Sequence, residues 1–275
     1  MNRPLTIYHG NCADGFTAAW IINKALNGNS DFHPGIYGQD PPEVEGRDVI
    51  LTDFSYKRPV LLKMAERAKS ILILDHHVSA QKDLVDLPEN VTSIFDMDRS
   101  GAGITWDYYF PLMARPEFVN HVEDRDLWRF ALPHTKEIQA SIFSYEYTFE
   151  NWDKFEDSQY LRSLITGGEA IERKLVKDCH ELIAAGKQMQ WIGGYYVPVL
   201  NVPYMMSSVA AGILCKGQPF AGAYWDRNDD RMFSLRSTED GIDVSLIAAQ
   251  YGGGGHKHAA GFTIKRPTHM ATSCL

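Results

Sequence analysis

The sequence predicts an α/β protein of two domains, a larger one built on a parallel sheet and a smaller one of mixed α/β type, with the active site in the cleft between them. Three observations carry this expectation. Short apolar runs rich in β-branched residues alternate with helical patterns through the first hundred residues. The texture changes near Trp191 to strand, helix and hairpin signals. A chain of 275 residues is also long for one compact core.

LTIYH (5–9), DVILTD (48–53) and SILILD (70–75) read as buried parallel strands, because each is a continuous apolar run too short for a helix. Between them, the pattern over 15–26 places Ala18, Ala19, Ile22 and Leu26 on one helical face. The pattern over 58–69 has Pro59 in its first turn, where a missing N–H costs nothing. Strand, helix and strand in succession imply a crossover, hence a parallel sheet covered by helices. VTSIFD (91–96) adds a strand and SGAGITWDYYF (100–110) a helix. Residues 136–190 read as mostly helical, with Ile171, Leu175, Cys179, Leu182 and Ile183 forming an apolar stripe that leads into the second domain. The expected domains are 1–188 and 189–275. In the second, YYVPVLNV (195–202), a helix at 206–215 and FAGAYWD (220–226) precede an RNDD turn and RMFSLRS (231–237). A helix at 243–251, four glycines and a last strand follow, and THMATSCL (268–275) reads as a frayed end.

Composition narrows the function. A net charge of −8 argues against wrapping a long duplex, which rests on many Lys and Arg contacts to phosphates. Residues 189–275 are nearly neutral, so the surplus carboxylates lie upstream. No run approaches the ~18–20 apolar residues of a membrane span, and MNRPLTIYHG lacks a secretory leader, so a cytoplasmic protein with no membrane partner is expected. Cys12, Cys179, Cys215 and Cys274 have no CxxC spacing and read as reduced thiols.

The polar residues fall at the strand ends. His9 and Asp14 follow the first strand, Asp53 closes the second, and Asp75, His76 and His77 close the third. Ligands of open parallel sheets bind beyond the carboxyl ends of the strands, so these side chains should converge. Crowded carboxylates raise one another's pKa unless cations neutralise them. Oxygen-rich donors with one or two imidazoles favour Mn²⁺ or Mg²⁺, and two such ions bridged by a carboxylate activate water and clamp a phosphoryl group. Downstream, the run Gly252 to Gly255, including Gly254 and Gly255, allows close backbone approach and turns N–H groups toward an anion. His256 adds a donor and Arg236 a planar fork for phosphate oxygens. SGAG (100–103) offers either backbone donors to an anion or a simple Ser100 cap.

LDHHVSA carries an Asp-His-His signature, HGNCADG a first motif, LTDF a second, VEDRD a fourth, and GGGGHKHAAG a glycine-histidine motif. In this order they resemble the DHH phosphoesterases with a C-terminal associated domain, including nanoRNase-like members. The resemblance implies Asp53 as a bridging metal ligand, with Asp14, His76 and Asp124 completing one site and His9 belonging to the other. Asp126 is the rival of Asp124. It further implies that His77 faces the substrate phosphate and that Asp75 orients a neighbouring imidazole. The first motif departs from the family's Asp-x-Asp, reading Cys12-Ala13-Asp14. Asn11 or Cys12 substitutes weakly, or Cys12 is only a small residue under the loop, so the His9 site should bind its ion less tightly and one or two ions are both open. The expected function is metal-dependent hydrolysis of short oligonucleotides or related nucleotides. The alternatives are exopolyphosphatase or pyrophosphatase chemistry, or a weakened sensor of phosphorylated ligands. The oligomeric state is left open, a homodimer included.

Overall fold

The computed structural model describes residues 3–10 and 12–266, so Asn11, Cys274 and the terminal stretch read as frayed lie outside the described residues. The chain forms two compact units, Met1–Glu172 and Arg173–Leu275.

The first unit opens with β1 (Leu5–His9), α1 (Ala13–Ala25), β2 (Asp31–Gly35), β3 (Asp48–Thr52), α2 (Arg58–Ala65), β4 (Ser70–Asp75), α3 (Val78–Asp83) and β5 (Val91–Phe95). It continues through α4 (Gly101–Tyr109), α5 (Glu117–Asp126), α6 (Thr135–Ile142) and α7 (Phe149–Phe155) into α8 (Ser158–Gly186), a helix that runs on into the second unit. All five strands pair in parallel, in the order β2-β1-β3-β4-β5. The order reverses between β1 and β3, and crevices for ligands open at such a switch point. β2 escaped the sequence reading: DFHPG is polar, half-exposed and contains Pro34, which an edge strand tolerates and a central one does not.

Each face of the sheet carries a core. Leu5, Ile7, Leu51, Ile71 and Ile73 pack with Leu61 and Met64 of α2 on one side. On the other, α1 is buried over nearly its whole first three turns, because it lies between the sheet and the helical layer of α4 to α8. Its indole partners are satisfied: Trp152 Nε1 donates to Thr17 Oγ1 (2.9 Å) and Trp20 Nε1 to Asp153 Oδ1 (2.7 Å).

The second unit contains β6 (Gln188–Ile192), β7 (Tyr195–Asn201), α9 (Tyr204–Leu214), β8 (Ala221–Arg227), β9 (Asp230–Arg236), α10 (Val244–Ala249), β10 (Gly254–His256) and β11 (Ala259–Lys265). Its six-stranded sheet runs β10-β11-β9-β8-β7-β6, antiparallel except for β7 and β8, which α9 connects as a crossover. β6 replaces the end of the expected helix: QMQWI is an exposed edge strand whose alternation is weak. The β8–β9 turn is shorter than RNDD, with Arg227 paired to Asp230 and Asn228 in the left-handed region. Of the stripe expected on α8, Cys179 is buried and Leu175 and Ile183 pack beside it, whereas Ile171 and Leu182 are exposed. No helix among the described residues is long and apolar enough to cross a membrane.

Candidate metal centre

The residues that close β1, β3 and β4 meet at the switch point. β3 ends at Thr52, and Asp53 then takes a left-handed backbone (φ 53°), an uncommon state for a side-chain-bearing residue that Asp tolerates better than most. This turn buries the carboxylate between two imidazoles. His76 Nε2 lies 3.0 Å from Oδ1, and His9 Nδ1 lies 3.3 Å from Oδ2. Asp14, in the first turn of α1, stands 3.8 Å from His76 Nε2, and Asp126, at the end of α5, 3.5 Å from it. Two close approaches allow this convergence. A Cβ on Gly15 would meet His9 O at 2.4 Å, and one on Gly101 would meet Asp53 Cβ at 2.3 Å, so both helices start against the strand ends only because these positions are glycine.

The electrostatics are those of too many carboxylates in one buried place. Burial opposes ionisation of Asp53, yet His76, bonded to Oδ1, and the imidazole of His9 near Oδ2 hold its carboxyl well below the usual range. Burial and the charges of Asp53 and Asp126 push Asp14 well up, and burial with Asp53 raises Asp126 as well. Burial works against a charged His76, but Asp53, Asp126 and Asp14 push it up to about 10. Burial and the same three carboxylates raise the Cys12 thiol. Asp53 Oδ2 and Asp126 Oδ2 are buried without a hydrogen bond among the described residues. Potential donor atoms lie within 4.8 Å of one another in three sets that share Asp53: Asp14, Asp53 and His76; His9, Cys12 and Asp53; and Asp53, Asp75 and His77.

Asp75 is fully buried and spent on orientation. It accepts from His77 Nδ1 (2.7 Å), from the His76 N–H (2.8 Å) and from Ser55 Oγ (2.5 Å), and the His77 ring and Ser55 keep its carboxyl low against the effect of burial.

The VEDRD segment requires a correction. Asp124 does not reach the cluster. Its carboxylate accepts from Ala131 N (2.8 Å), Leu132 N (3.1 Å) and Thr135 Oγ1 (2.6 Å), which fastens the loop after α5, where Trp128, Phe130 and His134 all have left-handed backbones. Asp126 is the residue turned toward His76. The reason is helical phase: two residues apart on a helix differ by about 200°, so one carboxylate points in and the other out. Glu123 serves a third direction, accepting from Arg99 Nε, Arg115 Nη1 and Ser100 N. SGAG resolves to both readings at once. Ser100 Oγ caps α4 by accepting from Gly103 N (3.1 Å), and the N–H groups of Gly101 and Ala102 donate to Asp14 at 2.7 and 3.0 Å. The anion they hold is a side chain of the protein.

Tyr37 was not foreseen. Its ring stands 5.4 Å from that of His9, 6.4 Å from His77 and 4.7 Å from Phe54, between centroids, and is half-exposed beside the cluster. It comes from the loop after an edge strand, where no periodicity marks it.

Comparison with known proteins fits this architecture. Residues 204–272 match the DHHA1 domain. The uncharacterized protein R106 of Acanthamoeba polyphaga mimivirus is 32% identical over 285 residues, covering 94% of this chain and 66% of that protein, so the chain spans just under two thirds of its relative. Manganese-bound RecJ from Thermus thermophilus shares the fold, with a TM-score of 0.52, 15% identity and coverage of 96% of this chain and 50% of that one. So does a pGpG-specific phosphodiesterase, PggH, of Vibrio cholerae, with a TM-score of 0.50, 14% identity and coverage of 96% and 93%. The chain carries a DHHA1 domain and has the fold of these two structures. Its second unit is the DHHA1 domain that the glycine-histidine motif implied.

In that DHHA1 domain the expected phosphate-binding residues line up across the sheet. His256 pairs with Ala259, Ala259 with Arg236, and Arg236 with Ala221, so all four side chains project from one face. Two strand spacings, about 10 Å, separate His256 from Arg236, with only an alanine methyl between them. Arg236 Nη2 donates to Ser208 Oγ of α9 (2.6 Å), which fixes the guanidinium. The glycine run is more ordered than a phosphate loop. Gly254 and Gly255 form β10, and a Cβ on Gly255 (φ 139°) would meet Ala259 O at 2.6 Å, so its first reason for being glycine is contact with β11. β10 is an edge strand, which leaves alternate N–H groups directed away from β11. Of the domain's aromatic side chains, Tyr224 is taken up by Arg231 and Phe233, whereas Tyr204 is exposed.

Proposed function

We propose that this protein is a DHH-type, divalent-metal-dependent phosphodiesterase acting on short oligonucleotides or related nucleotides. The observation that carries the reading is Asp53, whose two oxygens face different imidazoles and which belongs to every donor set of the first unit. The donors fit the metal: Asp14, Asp53, Asp126 and His76 give three carboxylates and one imidazole, the hard set suited to Mn²⁺ or Mg²⁺. The buried oxygens of Asp53 and Asp126 that lack hydrogen bonds are what a cation would satisfy. In this reading Asp126 takes the place first given to Asp124, and His9 with Asp53 holds a second ion.

When bound, such ions lower the pKa of a water and neutralise phosphoryl oxygens. The chain's own part is positioning. Asp53 faces His76 with Oδ1 and His9 with Oδ2, and the Gly101 and Ala102 N–H groups fix Asp14. Asp75 grips His77 by Nδ1, so that the imidazole meets the substrate phosphate in a set orientation and offers it a hydrogen bond or a proton. Arg236, His256 and the outward-directed N–H of the Gly254–Gly255 edge bind a phosphate other than the one cleaved.

A panel of phosphate substrates with and without Mn²⁺, with products resolved by chromatography, tests this. A 5′-phosphorylated dinucleotide should be hydrolysed in preference to the same dinucleotide lacking the phosphate. Arg236→Ala should cut kcat/KM for the phosphorylated substrate ~10- to 100-fold, the cost of one charge-assisted contact, while sparing a single-phosphate activated ester. Release of phosphate from polyphosphate alone would replace the reading with phosphoanhydride hydrolysis, and binding without turnover would make the protein a sensor.

A further inference from the structure

We propose that Cys12 is a metal ligand, and that His9, Cys12 and Asp53 form a nitrogen, sulfur and oxygen site selecting a softer divalent ion than its neighbour. The inference rests on the metal-dependent reading above and deepens it. Three observations carry it. The donor atoms of His9, Cys12 and Asp53 lie within 4.8 Å of one another. Cys12 occupies the N-cap of the thirteen-residue helix α1 with an extended backbone (φ −126°, ψ 135°), the position where Ser, Thr, Asp or Asn would cap, yet its side chain makes no cap hydrogen bond. Asp53, 1% exposed, has Oδ2 without a hydrogen bond among the described residues, and His9 Nδ1 lies 3.3 Å from that oxygen.

The thiol is thus not engaged in capping its own helix, is half-buried and unbridged, and stands beside an unsatisfied carboxylate oxygen and an imidazole. As Sγ coordinates, the thiol proton passes to solvent and no electron is transferred. The consequence is a pair of unlike sites sharing Asp53. Asp14, Asp53, Asp126 and His76 offer oxygen and nitrogen, which suit Mn²⁺ or Mg²⁺. His9, Cys12 and Asp53 include a soft donor, which suits Zn²⁺ or Co²⁺ and disfavours Mg²⁺.

Titration of the full chain with Co²⁺ separates the possibilities. Visible absorption reports cobalt at either site, and a near-ultraviolet sulfur-to-cobalt charge-transfer band reports the thiolate alone. Wild-type protein should show both. Cys12→Ser should lose the charge-transfer band and weaken the second Co²⁺ at least ~10-fold, the least that disturbing a ligand's own support costs, while keeping the visible bands. Cys12→Asp should restore the second site and let Mn²⁺ fill it. Two bound Co²⁺ ions with no charge-transfer band in wild-type protein would overturn the proposal, as would a band that survives in Cys12→Ser. Wild-type protein that binds neither Co²⁺ nor Mn²⁺ would instead bring down the metal-dependent reading beneath it. Alkylation of Cys12 in wild-type protein, read by peptide mass spectrometry, needs no variant: Zn²⁺ should slow it markedly, and unchanged labelling would contradict coordination.

Discussion

Asp124 and Asp126 stand two residues apart in one helix and do opposite work, and the difference can be measured. Asp124 is buried and accepts three hydrogen bonds from the loop that follows α5, so Asp124→Ala strands those donors. It should lower stability by about 3 kcal/mol, read as a shift in denaturant midpoint. Asp126→Asn keeps shape and removes a charge from a crowded cluster, so it should leave stability unchanged or raise it while weakening Mn²⁺ binding. Equal metal affinity in Asp126→Asn and wild-type protein would return the ligand's role to another residue. The resemblance in sequence pointed to Asp124, with Asp126 as its rival, whereas the structure turns Asp126 toward His76. The phase of α5 is set by how Asp124 ties down residues 131–135, and that is a tertiary fact.

A second consequence at this scale concerns protons. His76 is pushed up to about 10 by Asp53, Asp126 and Asp14, so it carries a proton at neutral pH, and Asp14 and Asp126 are raised too. A coordinating imidazole must be neutral and a coordinating carboxylate ionised. Mn²⁺ binding should therefore release about one proton or more per ion at the His76 set, and affinity should rise with pH until His76 is deprotonated. Calorimetry in buffers of differing ionisation enthalpy reads the number directly, and binding with no proton release would contradict this electrostatic account.

At the scale of elements, the site is made by helix starts driven against strand ends. Gly101 is the tightest instance, since a methyl there would meet Asp53 Cβ at 2.3 Å and Asp14 Oδ2 at 3.0 Å. Gly101→Ala should cost ~1–3 kcal/mol by overpacking and, unlike a remote destabilising change, should also weaken Mn²⁺ binding by displacing Asp53. Thermal unfolding and metal titration on the same preparation check both. Buried elements were the legible ones. β1, β3 and β4 are central, apolar and continuous, and their ends could be read to the residue or nearly so. β2 and β6 are edges whose polar or exposed residues carry no such pattern, and the run Gly252 to Gly255 looked like a loop because glycine suits both a turn and a tight strand contact. Tyr37 stayed hidden because its role depends on where a loop lands.

At the scale of the whole chain, the strand order β2-β1-β3-β4-β5 explains why residues from positions 9, 14, 53, 76 and 126 meet at all: β1 and β3 flank the switch point, and their ends carry His9 and Asp53. The DHHA1 domain contributes a separate row, His256, Ala259 and Arg236, to which the proposed function gives the grip on a second phosphate. The central claim is that Asp53 joins the metal sites on which hydrolysis depends. Mn²⁺ titration and hydrolysis of a 5′-phosphorylated dinucleotide, run side by side on wild-type protein and Asp53→Ala with folding checked by circular dichroism, test it most directly. Wild-type protein should bind Mn²⁺ and cleave, and folded Asp53→Ala should lose most Mn²⁺ binding and nearly all turnover. An Asp53→Ala protein that still binds Mn²⁺ and hydrolyses the dinucleotide at the wild-type rate would contradict it.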